Sequence, residues 1–467
     1  MPSDFKQAAT EIVRDLRRHG YQAYLVGGCV RDLLLGREPA DYDVATDATP
    51  DEVMRVFPRT WAVGAQFGVV LVPVEGVPPL TTQGGPPLPA SFAGRVGESK
   101  NCVVEVATFR SDGRYTDGRH PDQVSFTGRA EDDVQRRDFT INGLLLDPET
   151  NEVLDYVGGR DDLKARVIRT IGDPERRFAE DKLRMLRAVR FAARFEYDID
   201  QQTFDSIRRM AKEIHQVSRE RIRDEIVKML TEGHARRAFE LLDQTGLLAE
   251  VLPEVTRMHG VEQPPQFHPE GDVWVHTLLL LDGLGENSSP TLAMGALLHD
   301  IGKPPTFRVA PDRIRFDGHV EVGVKMSEEI CRRLRFSHYD TEQIASLVAN
   351  HMRFGDVQQM KESTLKRFMR LPRFDEHIEL HRLDCLASHR DLTLYNYVRE
   401  KLAATPPQQI RPKPLVTGDD LISAGYNPGP RFKEILSAVE DAQLEGRLED
   451  HDAAMDFVRK EFPLEAL

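Results

Sequence analysis

Two aspartates in the run ADYDVAT, Asp41 and Asp43, are the residues of the first part of the chain best suited to chemistry. One residue apart in an extended strand, they project their carboxylates from the same face. Two hard oxygen ligands on one face suit Mg2+, which fills its remaining coordination with water and the oxygens of a triphosphate. Taken alone, the same pattern describes a solvent-exposed strand edge. Ten residues ahead stands Arg31, in VGGCVRDLLLG, where Gly27 and Gly28 end a strand and a helix begins. Such a turn lets backbone N–H groups face an anion while Arg31 holds phosphate oxygens. A Gly-Gly turn can be purely structural, so its weight comes from standing next to the aspartates. A third carboxylate, Glu105 in VEVATFR, is predicted on a neighbouring strand whose alternate residues are apolar. A charge there is costly to bury unless it serves a ligand, the alternative being an edge glutamate facing water. Carboxylates that hold two metals at a triphosphate need no histidine or cysteine nucleophile.

Strands must position these residues. AYLVGG, VVLVPV and CVVEVATF are apolar, rich in valine and bounded by Gly, Pro or polar clusters, and read as strands. From about residue 175 the pattern turns helical. RFAEDKLRMLRAVRFAARF, ERIRDEIVKMLTEG, ARRAFELLDQTGLLAEVL and HTLLLLDGL repeat apolar residues at steps of three and four. The expectation is an α/β head followed by an all-α body. Between VVLVPV and CVVEVATF, the Pro- and Gly-rich stretch around residues 75–100 is predicted to be a long mobile loop. A second break, AATPPQQIRPKP near residues 403–414, separates a C-terminal tail.

Composition sets the outer bounds. At 467 residues, with 40% hydrophobic and 30% charged residues, the chain is globular and too long for one ordinary core. No apolar run approaches the roughly 20 residues of a membrane helix. The start, MPSDFKQAAT, lacks the basic-then-apolar pattern of a signal peptide, so a cytoplasmic protein with no membrane partner is expected. Cys29, Cys102, Cys331 and Cys385 form no CxxC pair, which argues against a zinc knuckle or a disulfide framework. The net charge of -14 repels nucleic acid at long range, so any RNA must meet local basic faces. Arg184, Arg187, Arg190 and Arg194 lie at helical spacing, and Arg219, Arg221 and Arg223 follow. Either set could instead be a solvated helix face.

The order GGxVRD, then DxD, then RRDFTIN at residues 136–142, then EDKLRMLRAVRF resembles the bacterial CCA-adding enzymes and their relatives, the bacterial poly(A) polymerases. The resemblance spans about the first half of the chain. It implies an α+β fold class: a polymerase-β-like nucleotidyltransferase head, with a small mixed sheet and helices, followed by a large all-α neck, body and tail. It also implies template-independent addition of CCA, from CTP and ATP, to the tRNA 3′ end by two-metal nucleotidyl transfer. Carried over residue by residue, it assigns Gly28 and Arg31 to the triphosphate and Asp41 and Asp43 to Mg2+. The RRDFTIN segment falls to the nucleotide, with Arg137 as the direct contact and Asn142 as a ribose contact. Asp181 and Arg184 would read the base, and Arg187 and Arg190 would surround the nucleotide. These four recur every third residue, so on an α-helix they drift gradually around one side. One carboxylate and one guanidinium can match the Watson–Crick edges of C and of A, whose donors and acceptors differ from those of G and U. An i,i+3 salt bridge between Asp181 and Arg184 is the structural alternative, and it could hold both in place.

Finer features separate the relatives. VGAQFGVVLV resembles the GxxFGV stretch of CCA-adding enzymes, whereas poly(A) polymerases carry a basic pair where this chain has Ala65 and Gln66. ATFRSDGRYTDGRHPDQVSF resembles the flexible loop region that CCA-adding and A-adding enzymes keep and CC-adding enzymes lack. A poly(A) polymerase or an A-adding-only enzyme stays open as an alternative. A nucleotide-binding regulator would have lost a DxD carboxylate, and both are present.

A second constellation follows: His276, the pair His299 and Asp300 in ALLHDIGKP, His319, His351 and Asp384. Its spacing and order resemble the HD-type metal-dependent phosphohydrolases. That resemblance implies His and Asp from several helices around one or two divalent cations. His276, His299, Asp300 and Asp384 would form the core, with His319 and His351 completing a second position. Imidazole ligands favour Ni2+, Mn2+ or Co2+ over Mg2+. The implied activity is hydrolysis of phosphoesters such as 2′,3′-cyclic phosphates, the alternative being a retained but inactive scaffold. The expected division is a head over residues 1–150, a neck and body over 151–265, an HD domain over 266–402 and a tail over 403–467.

Overall fold

The apolar runs of the head pair into one six-stranded mixed sheet in the computed structural model, which describes residues 2–62, 68–73, 103–113, 123–266, 268–311 and 313–464. The expected loop over residues 75–100, Ala65, Gln66, Cys102 and much of the second loop region lie outside the described residues. In chain order the strands are β1 (Ala23–Val26), β2 (Asp43–Thr46), β3 (Val69–Pro73), β4 (Val103–Thr108), β5 (Arg110–Asp112), β6 (Val124–Phe126), β7 (Leu144–Leu146) and β8 (Val153–Asp155). The main sheet has the order β3-β4-β2-β1-β7-β8, with β2 and β4 parallel and the remaining neighbours antiparallel. β5 and β6 form a separate ribbon.

The helices of this part are α1 (Pro2–Arg18), α2 (Gly28–Leu34), α3 (Pro50–Val56), α4 (Ala130–Gln135), α5 (Gly159–Ala165), α6 (Pro174–Glu180), α7 (Leu183–Phe195), α8 (Gln201–Met210), α9 (Arg219–Thr231), α10 (Ala235–Gln244) and α11 (Leu247–Val251). Ala9, Ile12, Val13 and Leu16 give α1 a buried stripe at steps of three and four, and α1 lies against β1, β2 and β4. Val26, Ala45 and Leu145 pack instead with Phe109 and with Ala130 and Val134 of α4.

The continuous helix expected over residues 177–195 is two helices. Asp181 takes an extended backbone, φ -147 and ψ 106, and its carboxylate accepts the Leu183 N–H at 3.0 Å. A short acidic side chain bonded to nearby backbone competes with the helix and ends it there. The run over residues 235–252 is also interrupted, at Gly246, where a left-handed backbone with φ +77 ends the helix.

The chain divides into two compact units, residues Met1–Met229 with Arg237–Val251, and residues Leu230–Arg236 with Leu252–Leu467. The second is mostly helical, with α12 (Pro253–Thr256), α13 (Val273–Asp282), α14 (Pro290–Leu298), α15 (Lys303–Thr306), α16 (His319–Arg333), α17 (His338–Asn350), α18 (Glu362–Met369) and α19 (Phe374–Ala387), and one short ribbon pairs Arg308–Val309 with Ile314–Arg315. α13 and α14 are apolar nearly all round and sit centrally, in contact with each other and with α19, while α17 packs on α14 and α16. Val416, Leu421, Ile435, Val439 and Val458 form a separate apolar cluster near the C-terminus. Among the described residues no helix is long and apolar enough to cross a membrane.

Candidate active site and metal centre

The register of the sheet sets Glu105 beside Asp43. Asp43 pairs with Val26 of β1 on one side and with Glu105 of β4 on the other, and residues directly opposite share a face. Glu105 is exposed, not buried, so the argument from the cost of burying it does not apply; its place beside Asp43 comes from the parallel register. Asp41 is exposed and precedes the strand, which begins at Asp43, with buried Tyr42 between them. The buried Cys29 thiol is pushed up to about 12, first by burial and then by the Asp43 and Asp41 carboxylates, so both aspartates lie near α2. Carboxylate oxygens are the donors that Mg2+ takes, although the side chains of Asp41, Asp43 and Glu105 are not among the described groups whose ligand atoms all lie within 4.8 Å of one another.

Beside Asp43 opens a cleft of about 460 Å³, lined by Gly27, Gly28 and Phe191, by Asn142, by Asp43, Asp138 and Asp181, and by seven arginines. Those arginines are Arg31, Arg136, Arg137, Arg184, Arg187, Arg190 and Arg194. Seven guanidiniums and three carboxylates line the cleft, and Asp32, Asp133, Glu180 and Glu225 behind the wall pair with five of those guanidiniums, so the lining presents guanidinium donors to a polyanion within a network of ion pairs. Gly27 sits at φ +77, and a Cβ there would stand 3.2 Å from Arg137 Nη1, so glycine lets the strand end approach the arginine. Arg31 is buried, donates from Nη1 to Asn142 Oδ1 at 2.6 Å and lies over the Phe195 ring at 4.6 Å. Burial pulls its guanidinium down, with Asp32 opposing. Asn142 in turn donates to Asp138 Oδ1 at 3.1 Å, and Asp138 Oδ2 accepts from Arg187 Nε and Nη2 at 2.9 and 2.6 Å. Arg137 donates to buried Asp133 at 2.9 Å.

Asp181 lies in the break between α6 and α7, and the i,i+3 bridge to Arg184 does not form. Asp181 accepts from both ends of the Arg221 guanidinium, at 3.2 and 2.7 Å. Arg184 donates to Glu180 at 2.8 Å and to the Arg177 and Arg136 carbonyls at 3.1 and 3.0 Å. Arg190 pairs with buried Glu225 at 2.7 Å. Thus α9 supplies partners to three cleft residues, Asp181, Arg187 and Arg190.

In the second unit, the histidines and aspartates of the HD constellation converge. His276 Nε2 lies 3.2 Å from His299 Nε2 and 3.1 Å from Asp384 Oδ1, and His299 Nε2 lies 3.2 Å from Asp300 Oδ2. The other oxygen of Asp300, Oδ1, faces His351 Nε2 at 3.7 Å and His319 Nε2 at 3.9 Å. Asp300 therefore bridges two groups of donors. His299, His319 and His351 each place Nδ1 against the carbonyl three residues back, of Ala296, Phe316 and Val348 at 2.9, 2.9 and 2.7 Å. A carbonyl only accepts, so the proton sits on Nδ1 and the Nε2 lone pair points inward. His319 Nε2 and His351 Nε2 are buried with no hydrogen-bond partner, as expected of ligands to a cation. Burial would raise Asp300, but Lys303, at 2.6 Å, and His299 hold its carboxyl well below the usual range. A Cβ on Gly302 would lie 2.0 Å from the His319 carbonyl, so the glycine after the HD pair lets α16 seat its histidine. Imidazoles with two carboxylates fit a transition metal.

Residues 23–78 with 91–169 match the poly(A) polymerase head domain family, residues 196–258 the probable RNA- and SrmB-binding site of polymerase A, and residues 271–371 the HD domain. A CCA-adding enzyme of Geobacillus thermodenitrificans is 42% identical over 241 residues, 52% of this chain and 53% of that protein. One of Bacillus pumilus is 36% identical over 296 residues, 63% of each. The chain thus spans about half the length of several curated relatives it matches. The crystal structure of the Bacillus stearothermophilus CCA-adding enzyme in complex with CTP aligns with a TM-score of 0.71 at 26% identity, over 97% of this chain and 98% of that one. The chain carries a match to the poly(A) polymerase head domain and is similar to CCA-adding enzymes over about half their length.

Several residues that shape the cleft carry no signal of their own in the sequence. Asp138 stands inside RRDFTIN, and only its contacts with Asn142 and Arg187 reveal it. Arg221 was seen only as part of a charged face and Glu225 was not named; their partners Asp181 and Arg190 lie far away in sequence. Lys303 and Glu270, beside the histidine cluster, carried no spacing signal of their own.

Proposed function

We propose that this chain adds CCA to tRNA 3′ ends from CTP and ATP without a nucleic-acid template. The observation that carries this reading is the arginine-lined cleft with Asp43 on its wall and Glu105 in register beside it. Asp41, Asp43 and Glu105 hold Mg2+, which when bound neutralises the triphosphate and favours ionisation of the RNA 3′ hydroxyl. Gly27, Gly28 and Arg31 face the triphosphate, Arg137 and Asn142 the nucleotide, and Asp181 with Arg184 the base, framed by Arg187 and Arg190. Asp181 and Arg184 line the cleft and are held by separate partners rather than by each other, so each side chain is fixed independently. That suits a protein template.

In this scheme the head over residues 1–150 carries the transfer, and the neck and body over 151–265 carry base reading and RNA binding. The HD domain over 266–402 carries a second centre, and the tail over 403–467 completes the chain. His276, His299, Asp300 and Asp384, with His319 and His351, hold Ni2+, Mn2+ or Co2+ and support hydrolysis of phosphoesters at RNA ends. The orphaned Nε2 atoms of His319 and His351 favour that reading over an inert scaffold. Three buried free thiols, Cys29, Cys331 and Cys385, fit work in the reducing cytoplasm. The test is incorporation of labelled CTP and ATP into tRNA by wild type and Asp43→Ala in the presence of Mg2+. The variant should lose several orders of magnitude of activity with its fold intact; retained addition would refute the metal site.

A further inference from the structure

Two residues ahead of the span that matches the HD domain, which begins at residue 271, reach its histidine cluster. His268 and Glu270 lie in the run HPEGDVWVH that leads into α13. Asp272 fastens this loop, accepting the Val275 N–H at 2.8 Å and the Gly260 N–H at 2.6 Å. The Glu270 side chain is 7% exposed, and its Oε1 meets His276 Nδ1 at 2.7 Å and His268 Nδ1 at 2.9 Å. A carboxylate oxygen only accepts, so both rings carry their proton on Nδ1 when bonded to it.

The comparison within the cluster is informative. His299, His319 and His351 have their Nδ1 protons fixed by main-chain carbonyls three residues back. His276 sits inside α13, and its Nδ1 meets a carboxylate instead. Without that carboxylate, Asp384 Oδ1 at 3.1 Å would draw the proton to Nε2, the nitrogen that faces the cluster. We propose that Glu270 is a positioning residue for His276, holding its proton on Nδ1 so that Nε2 is a metal ligand, and that His268 steadies Glu270 from the other side. The proposal rests on the reading of the cluster as a metal centre.

The test uses the full chain stripped of metal and titrated with Co2+, with the dissociation constant taken from calorimetry and the ligand field from visible absorption. His299→Ala marks which absorption belongs to the cluster. Glu270→Leu, which fills the space without an acceptor, should weaken Co2+ about 10–100-fold and shift the absorption bands. Glu270→Gln, whose side-chain carbonyl can accept the same bond, should restore both; a purely electrostatic role would not be rescued. His268→Ala should weaken binding less. Wild-type affinity and spectrum in Glu270→Leu would overturn the proposal while leaving the metal centre standing. If Glu270→Leu does not fold, judged by circular dichroism without metal, the proposal is overturned by unchanged Co2+ binding in His268→Ala. Wild type that binds no Co2+ beyond His299→Ala would overturn the metal centre itself, and this proposal with it.

Discussion

Replacing Asp138 by Asn tests whether a buried carboxylate organises the arginines of the cleft. Asp138 accepts from Arg187 at 2.9 and 2.6 Å, from Asn142 at 3.1 Å and from the Phe139 N–H at 2.8 Å, and its side chain is 11% exposed. Burial alone would raise the carboxyl, but the Arg187 charge and these hydrogen bonds hold it down at about 2, against an ordinary 3.8. That difference corresponds to about 2 kcal/mol of folding free energy. A depressed folded value means that this stability is complete above the unfolded value and is lost as the pH falls from 3.8 towards 2. Asp138→Asn removes it at pH 7 and leaves Arg187 with Glu225 at 4.0 Å as its remaining acidic neighbour among the described ion pairs. The expected loss is about 2–3 kcal/mol, below the 3–5 typical of a fully buried pair broken from one side, because Arg187 is 31% exposed. The corresponding fall in Tm is roughly 5–10 °C. The chain has two tryptophans, Trp61 in the first unit and Trp274 in the second, so urea unfolding in a Trp274→Phe background reads the first unit by fluorescence. The midpoint should fall with little change in slope, and the gap from wild type should narrow as the pH is lowered towards 3. A difference under about 0.5 kcal/mol, the size of an ordinary surface substitution, or a gap independent of pH, would refute the network's role.

Arg184→Ala should relax discrimination against UTP and GTP by about 10–100-fold, the worth of a lost base-edge bond, measured as relative kcat/KM for each nucleotide. Arg221→Ala, which releases Asp181, should shift the same ratios in the same direction; unchanged ratios in both variants would remove the protein template from the account. His299→Ala combined with Asp300→Ala should abolish bound transition metal, by elemental analysis, and 2′,3′-cyclic phosphate hydrolysis with Ni2+ or Mn2+. Nucleotide addition should stay near wild type, because the carboxylate set and the histidine set lie in different compact units.

The head was legible because its strands are short, valine-rich and punctuated by glycine, and because Asp41, Asp43 and the Gly27–Gly28 turn are local in sequence. Glu105 was singled out on the cost of burying it, yet it is exposed, and its position beside Asp43 comes from a parallel register that no local pattern encodes. Asp181 was assigned to a continuous helix because three-residue spacing looks the same across a break; its own side chain makes the break by capping backbone. Partners distant in sequence, such as Arg221 for Asp181 and Glu225 for Arg190, have no signature in one chain. The HD histidines were legible as a set, but which nitrogen each presents depends on carbonyl and carboxylate partners that only the fold supplies.

The most direct measurement is extension of one tRNA transcript that lacks its last three nucleotides, with CTP and ATP together, resolved at single-nucleotide length. The account predicts growth by C, C and A and then a stop. A long run of A, an A added only to transcripts that already end in CC, or no extension at all would contradict it.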